Sequence, residues 1–151
     1  MSYATIETGL LTLIRLLSGY SATNTAAGNY NVLSASSASS VILQPGEFSR
    51  EVVAAPRRVR TAWTINIELY VPYRTDIVTI AAAIRTKRQE LIDHIDKYPT
   101  LNGVTGVLHA FVVGASEPVA WEGRRGARTS GYWMQMLTMQ VEERVTVTIA
   151  E

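Results

Sequence analysis

One segment constrains the fold more than any other: residues 60–73 alternate between apolar and polar side chains with a period of two. The apolar positions are Trp63, Ile65, Ile67, Leu69 and Val71. The positions between them are Thr64, Asn66, Glu68 and Tyr70. Because successive side chains of a strand point to opposite faces, the pattern predicts a strand that is buried on one face only. Such strands are typical of antiparallel sheets.

Three further segments predict strands of the same sheet. Residues 41–43 form a short apolar run, and the Gln44-Pro45-Gly46 sequence after them predicts a turn. A longer apolar run covers residues 104–113, and a last strand covers residues 132–149. The alternation of the last strand slips at Glu142-Glu143, which predicts a bulge or a bend there.

Two segments carry apolar residues at helical spacing. The first covers residues 3–17, and Ser18-Gly19 after it favours a helix end. The second begins at a cap provided by Thr75 or Asp76 and runs to Lys97, before the Pro99 that prevents its continuation. At 151 residues the chain has the length of a single domain. We therefore expect an α+β fold, with a mainly antiparallel sheet packed on one side by two helices.

Two segments lack these patterns. Residues 21–40, which we call the arm, are rich in Ser, Ala, Asn and Thr and nearly free of charge. An arm of this composition buries too little apolar area to offset its ordering entropy alone. We expect either a flexible surface loop or a segment that becomes ordered against a neighbouring subunit. Residues 114–131 are expected to form a second loop.

The overall composition excludes several classes of protein. There is no cysteine, so disulfides, thiolate metal sites and a cysteine nucleophile are absent. A formal net charge of +1 gives no general attraction to nucleic acid or to a membrane. The apolar run at residues 10–17 contains Arg15 and follows no basic stretch, so it is expected to be a buried helix and not a secretory signal.

No combination of residues predicts catalysis or metal binding. The two histidines, His94 and His109, do not match a zinc-ligand spacing. No serine lies in a nucleophile-elbow motif, and Glu142-Glu143 point to opposite faces of one strand. The glycines of Gly123-Arg-Arg-Gly126 have the wrong spacing for a phosphate-binding loop. We expect a protein that is not an enzyme and that needs no cofactor.

Arginine and aromatic residues are the candidate contact residues. One basic cluster contains Arg57, Arg58 and Arg60, and a second contains Arg124, Arg125 and Arg128. The second is flanked by Trp121, Tyr132 and Trp133. We expect both clusters to lie in loops, where guanidinium groups pair with carboxylates of a neighbouring copy or contact phosphates. Arginine and aromatic residues are enriched at protein interfaces, which favours the first interpretation.

The order of these elements resembles a known family. A helix, a polar excursion, the strand ending Val41-Ile42-Leu43-Gln44-Pro45-Gly46, the strand Trp63–Tyr70, a helix and two closing strands follow one another. The helix-to-strand junction Tyr98-Pro99-Thr100-Leu101-Asn102-Gly103 is the most specific part. The chain resembles, over nearly its whole length, the tail-terminator (tail-completion) proteins of long-tailed bacteriophages.

This resemblance implies a structural role in the virion. Members of the family cap the tail tube as hexameric rings and join it to the head or neck connector, with DNA passing through the lumen unread. The implied partners are therefore further copies of the chain, the tail-tube protein and the connector, and the implied location is the virion after assembly in the host cytoplasm. Two alternatives remain open: a head-completion protein of the neck, and a small nucleic-acid-binding module that uses the loop arginines.

Overall fold

The computed structural model describes residues 3–35, 39–54, 58–72, 77–125 and 128–146. In chain order the elements are α1 (Tyr3–Arg15), β1 (Thr25–Ala27), a 3-10 helix (Tyr30–Ala35), β2 (Ser40–Ala54), β3 (Arg58–Pro72), α2 (Ile77–Asp96), β4 (Val107–Ala115), β5 (Val119–Arg125) and β6 (Arg128–Thr146). The proposed caps of α2, Thr75 and Asp76, lie outside the described residues.

The strands form one sheet of the order β1-β2-β3-β6-β4. The β1–β2 pair is parallel, whereas β2–β3, β3–β6, β4–β6 and β5–β6 are antiparallel. β4 and β5 lie one after the other along the same edge of β6. The predicted fold class, α+β with a mainly antiparallel sheet, is confirmed.

The main core lies between the two helices and one face of the sheet. Its buried residues include Ile6, Leu10, Leu13 and Ile14 of α1, Ile84, Leu91 and Ile95 of α2, and Ile65, Ile67, Leu69, Leu137, Met139 and Val141 of the sheet. All five apolar positions of the alternating segment belong to this core or pack against it. We call this side of the sheet the helical face and the other side the open face.

Strand β2 differs from its prediction as a short strand that ends in a turn. It continues through Pro45 and Gly46 and stays paired with β3, with a register shift between Pro45 and Phe48. A Cβ atom on Gly46 would lie 2.8 Å from the main-chain oxygen of Thr64, so glycine allows a close approach of the two strands at this bulge. The predicted turn was wrong because Pro and Gly are also the residues of a strand irregularity.

The predicted slip at Glu142-Glu143 has a different cause. The face alternation of β6 continues through both residues, and Glu143 lies on the helical face at 2% exposure. The Trp63 indole N–H donates to its Oε1 at 2.9 Å. The irregularity itself belongs to β4, whose register against β6 shifts between Val107 and His109, opposite these glutamates. The sequence therefore suggested a shift in the alternation because a hydrogen-bonded glutamate occupies a position on the buried face.

The junction after α2 is a compact hydrogen-bonded turn. The N–H of Leu101 donates to the Tyr98 carbonyl at 2.9 Å, and the N–H of Val104 donates to the Thr100 carbonyl at 3.0 Å. Leu101 is buried although its φ is 54°, and Gly103 follows with a φ of 89°. A leucine in the left-handed region is uncommon, so its burial in the core stabilises a conformation that its backbone disfavours.

Candidate functional site

The structure leaves one end of the sheet only partly covered by the helices. We call it the distal end, and it consists of Phe48–Ala54, Arg58–Trp63 and Val141–Thr146. Phe48 and Val52 face the helical side in the strand register, yet they are 60% and 72% exposed. The helical cover therefore does not reach the outer strand of the distal end.

The first arginine cluster lies in this distal end. Arg58 and Arg60 are part of β3, so the predicted loop location was wrong for them, and Arg57 lies outside the described residues. Arg60 donates to Glu51 Oε2 at 2.7 Å across the β2–β3 pair, and this hydrogen bond raises the pKa of the guanidinium. Both side chains are well exposed, so the ion pair contributes little to stability.

Residues of β6 place a further charge beside this cluster. Arg144 lies directly opposite Arg60 in the β3–β6 register and is exposed. Like charges in facing positions of an antiparallel pair repel each other. Glu142, two residues earlier, contributes an attractive charge to Arg60 and also pairs with His109 at 3.2 Å. The distal end is thus a mixed surface with more arginine than carboxylate.

The second arginine cluster lies in a β-hairpin at the other end of β6. Arg124 and Arg125 end β5, and Arg128 begins β6, with Arg125 paired to Arg128. The predicted loop at residues 114–131 was therefore wrong, because much of it is strand. The side chains of these arginines and of Trp121 lie outside what the structure describes.

The two aromatic residues after this hairpin pack within the subunit. Tyr132 is buried on the open face, where its hydroxyl donates to the carbonyl of Leu33. Trp133 packs against the main core. The expected role at a subunit contact or a lumen does not fit Tyr132, whose side chain is closed off by its own chain.

The strand β6 separates the two arginine clusters. Arg128 is its first residue, and Arg144 lies two residues before its end at Thr146. At about 3.3 Å per residue, these ends are roughly 50 Å apart along the strand. The clusters therefore do not form one basic surface, and each must meet a different part of any large partner.

The arm is ordered within the described part of the subunit, in contrast to both expectations for it. Its residues 25–27 form β1, and residues 30–35 form the 3-10 helix. The Asn24 amide donates to the carbonyls of Gly19 and Ser39 at 2.7 and 3.2 Å, and its Oδ1 accepts from the Ser21 N–H at 2.7 Å. Residues 36–38 lie outside the described residues.

The arm is also anchored to both layers of the fold. On the helix side, Arg15 donates through Nε to Thr25 Oγ1 at 2.8 Å and through Nη2 to the Thr25 carbonyl at 3.0 Å. On the open face, Leu33 packs in a second small cluster with Ile42, Tyr70 and Tyr132. Polar contacts at long sequence separation thus provide the ordering that the apolar content of the arm could not.

A buried glutamate lies at the centre of the contact between the arm and the open face of the sheet. Glu68 of β3 is 8% exposed and accepts hydrogen bonds from the hydroxyls of Tyr30 and Tyr70. Gln44 of β2 donates to the Tyr30 hydroxyl at 2.9 Å. Burial, with the hydrogen bond to Glu68 as the next cause, raises the pKa of Tyr30 and of Tyr70. Because both phenols stay protonated donors, the group is suited to fixing the arm and not to transferring protons.

The remaining candidates for chemistry have structural partners. His94 Nε2 lies 2.7 Å from the Leu13 carbonyl and so connects α2 to α1, and His109 stacks on Phe111 with ring centres 5.5 Å apart. The residues that the structure describes contain no group of three His, Cys, Asp or Glu able to hold a metal ion. None of the helices within the described ranges is long and apolar enough to cross a membrane.

The sequence did not point to the exposed apolar residues of the sheet edges. Phe48 and Val52 lie in one edge strand, β2, and Leu108, Phe111 and Val113 lie in the other, β4. In the sequence they are visible only as a few apolar residues between turn-forming residues. This pattern is too weak to separate an edge strand from a loop.

Comparison with known proteins gives little further guidance. No protein-family model matches the chain, and the search of curated proteins finds no match either. One similar solved structure is 14% identical to this chain, covers 100% of it and 99% of its own length, and superimposes with a TM-score of 0.42. The name of that protein describes no function.

Proposed function

We propose that this protein is a non-enzymatic virion subunit that assembles as a ring on the phage tail tube and joins it to the head or neck connector. The proposal starts from the resemblance to tail-terminator proteins in element order and in the Tyr98–Gly103 junction. One observation of the structure supports an assembling subunit in particular. Phe48 and Val52 are 60% and 72% exposed at a sheet end that the helices cover only in part.

The physical cost of such exposure favours a partner. Each of the two side chains would contribute roughly 1 to 2 kcal/mol if it were fully removed from water. Exposed apolar groups along an unprotected strand edge are a known liability for a protein that stays alone. A subunit whose strand edge is covered after assembly avoids this liability.

The two other candidate functions are less well supported. A head-completion protein of the neck would have the same requirements, so the distal end does not separate it from a tail terminator. A nucleic-acid-binding module would gain from a single basic surface, whereas the arginine clusters lie at opposite ends of β6. Binding to a phosphate backbone improves with the number of neighbouring cations, so this separation disfavours that module.

The test is to locate the protein in an intact particle of the phage or prophage that encodes it. Cryo-electron microscopy of the tail and neck should reveal a ring of this chain between the tail tube and the connector. A position on the capsid side of the neck would support the head-completion alternative instead. Absence of the chain from purified particles would contradict both virion roles.

The nucleic-acid alternative has a separate test. Binding of the purified chain to duplex DNA should be measured at two salt concentrations, because phosphate contacts weaken by decades as salt rises. For the proposed role, we expect binding that is no stronger than that of other proteins of similar net charge. Tight, salt-sensitive binding that is lost on replacing Arg124, Arg125 and Arg128 by Ala would contradict the proposal.

A further inference from the structure

Two edges of the sheet are open to a partner strand, and they run in opposite directions. β2 is antiparallel to β3, β3 to β6, and β6 to β4, so β2 and β4 are antiparallel to each other. β1 covers β2 only at Val41–Leu43, and beyond this no described strand lies on the outer side of β2 or of β4. The main-chain groups on these outer sides are therefore available for pairing.

We propose that copies of this chain join by strand pairing between the distal half of β2 in one copy and β4 in the next. A second copy moved sideways, without being turned over, brings its β4 next to β2 in the antiparallel direction. The helical faces of both sheets then lie on the same side. Antiparallel addition of a strand to an open edge is an established mode of recognition.

Charge argues against a two-fold contact of β2 with itself. A two-fold axis perpendicular to the sheet leaves the helical faces of both copies on the same side. It pairs residues that are an even number of positions apart in the sequence. If the axis passes at Arg50 or at Glu51, that residue faces its own copy. If it passes at Ser49, Glu47 faces Glu51. These three registers place like charges opposite each other, which is destabilising. A two-fold contact of β2 with itself in any register would also leave Phe111 and Val113 of β4 exposed.

Strand β4 brings no such repulsion to the contact. Between Val107 and Ala115 its only titratable side chain is that of His109, which already pairs with Glu142. A two-fold contact of β4 with itself would leave Phe48 and Val52 exposed, although their exposed fractions are the highest among the large apolar side chains that the structure describes. The β2–β4 contact instead places Phe48 and Val52 beside the helical face of β4, which carries Ala110 and Val112, while Phe111 flanks β2 on the open face.

The contact has a direct consequence for assembly. It joins two different surfaces, so it is heterologous, and each copy keeps one free edge of each kind until a ring closes or a filament grows. Such a contact would exist whether or not the ring lies on a phage tail, so its failure and the failure of the proposed function can be distinguished.

The experiment uses two variants that each block one edge. Val52→Lys places a charge on β2, and Val113→Lys places one on β4, at positions that are 72% and 48% exposed. Lysine on an edge strand is a known device against pairing. Leu16→Lys is the control, since it replaces an exposed apolar residue that follows α1 and belongs to neither β2 nor β4. Circular dichroism checks that all three variants are folded.

Sedimentation velocity over a wide concentration range then distinguishes the modes of contact. We expect the wild type and Leu16→Lys to form oligomers, and each edge variant alone to be a monomer. An equimolar mixture of the two edge variants should form a dimer and nothing larger, because each retains the edge that the other lacks.

Other results would contradict the proposed contact. Dimers of Val113→Lys alone would indicate a β2–β2 contact, and dimers of Val52→Lys alone a β4–β4 contact. A mixture that stays monomeric would exclude pairing of the two remaining edges. A wild type that is monomeric up to about millimolar concentration, near the weak limit of specific association, would also overturn the contact, while leaving a tail role that depends on the tube protein intact.

Discussion

The arm and the distal end of the sheet differ in where their side chains find partners. The arm has almost no charge and little apolar area, yet it is held by hydrogen bonds to α1, to β2 and to the open face of the sheet. The distal end is strand structure with more large apolar side chains, yet Phe48 and Val52 are 60% and 72% exposed. Order within a subunit thus depends on where partners lie, and not on the composition of a segment alone.

Because of this difference, we expect substitutions in the arm and in the distal end to have different effects. The arm is held by hydrogen bonds within its own subunit, so we expect changes there to alter the stability of the isolated chain. The distal end leaves Phe48 and Val52 largely exposed, so we expect changes at these two residues to alter association and to leave the isolated chain nearly unaffected.

The largest effect is expected on removing the carboxylate that fixes the arm. Glu68→Ala would leave the Tyr30 and Tyr70 hydroxyls without this acceptor in a largely buried site, and we expect a loss of about 2 to 4 kcal/mol in the free energy of unfolding. Urea denaturation measures this loss. Hydrogen exchange should also become faster in the arm than in the main core.

Two controls test the cause of that loss. Glu68→Gln keeps the shape and one acceptor oxygen, so its loss should be smaller than that of Glu68→Ala. Glu47→Ala removes an exposed carboxylate from β2 and should change stability by less than about 0.5 kcal/mol. Equal effects of Glu68→Ala and Glu47→Ala would mean that the arm does not depend on the buried carboxylate.

The second effect concerns Tyr20, directly before the arm, and appears only at alkaline pH. Burial, assisted by the charge of Glu90, raises the pKa of Tyr20 from 10.0 to about 12. The unfolded chain therefore loses this proton first, so the stability contribution is complete below pH 10 and falls as the pH rises from 10 to 12. A shift of this size corresponds to roughly 2 to 3 kcal/mol.

Tyr20→Phe isolates this contribution. The Tyr20 hydroxyl is buried and has no hydrogen-bond partner among the described residues, so the variant should be as stable as the wild type at pH 7, or more stable by up to about 1 kcal/mol. Between pH 10 and 12 its free energy of unfolding should fall less steeply. The other tyrosines ionise in both proteins, so parallel curves would contradict the assignment to Tyr20.

The parts of the fold that follow from short-range periodicity could be predicted from the sequence. The alternation from Trp63 to Val71 and the helical spacing in α1 and α2 each reflect burial on one face, which a local window contains. The arm could not be predicted in this way. Tyr30 and Glu68 are 38 residues apart, and their hydrogen bond has no signature in either local sequence.

The candidate site was predicted less well for two physical reasons. Pro45 and Gly46 favour turns in most contexts, and here they form a bulge within a strand that extends the sheet to the distal end. Arginine-rich segments are common in loops, but Arg58, Arg60, Arg124 and Arg125 belong to strands whose pairing is set by residues far away in the chain. Local preference was overridden by strand pairing in both cases.

The smallest effect on the isolated chain is expected at the distal end, and strand β2 offers a matched pair of substitutions. Val41 is fully buried against the main core, whereas Val52 is 72% exposed on the same face of the same strand. Replacing either by Thr exchanges a methyl group for a hydroxyl and keeps the β-branched shape. Val41→Thr should cost about 1 to 3 kcal/mol, because the hydroxyl enters an apolar core. Val52→Thr should change the free energy of unfolding by less than about 0.5 kcal/mol.

Urea denaturation of both variants at several protein concentrations measures the pair. If copies associate through β2, the small difference at Val52 should grow with concentration, since association stabilises the folded state by mass action and the Thr variant would associate less well. The difference at Val41 should not depend on concentration in this way, because that side chain is buried within its own subunit. A cost at Val52 that matched the cost at Val41 in dilute solution would mean that the distal end is buried within the isolated chain, and the contrast between the arm and the distal end would no longer hold.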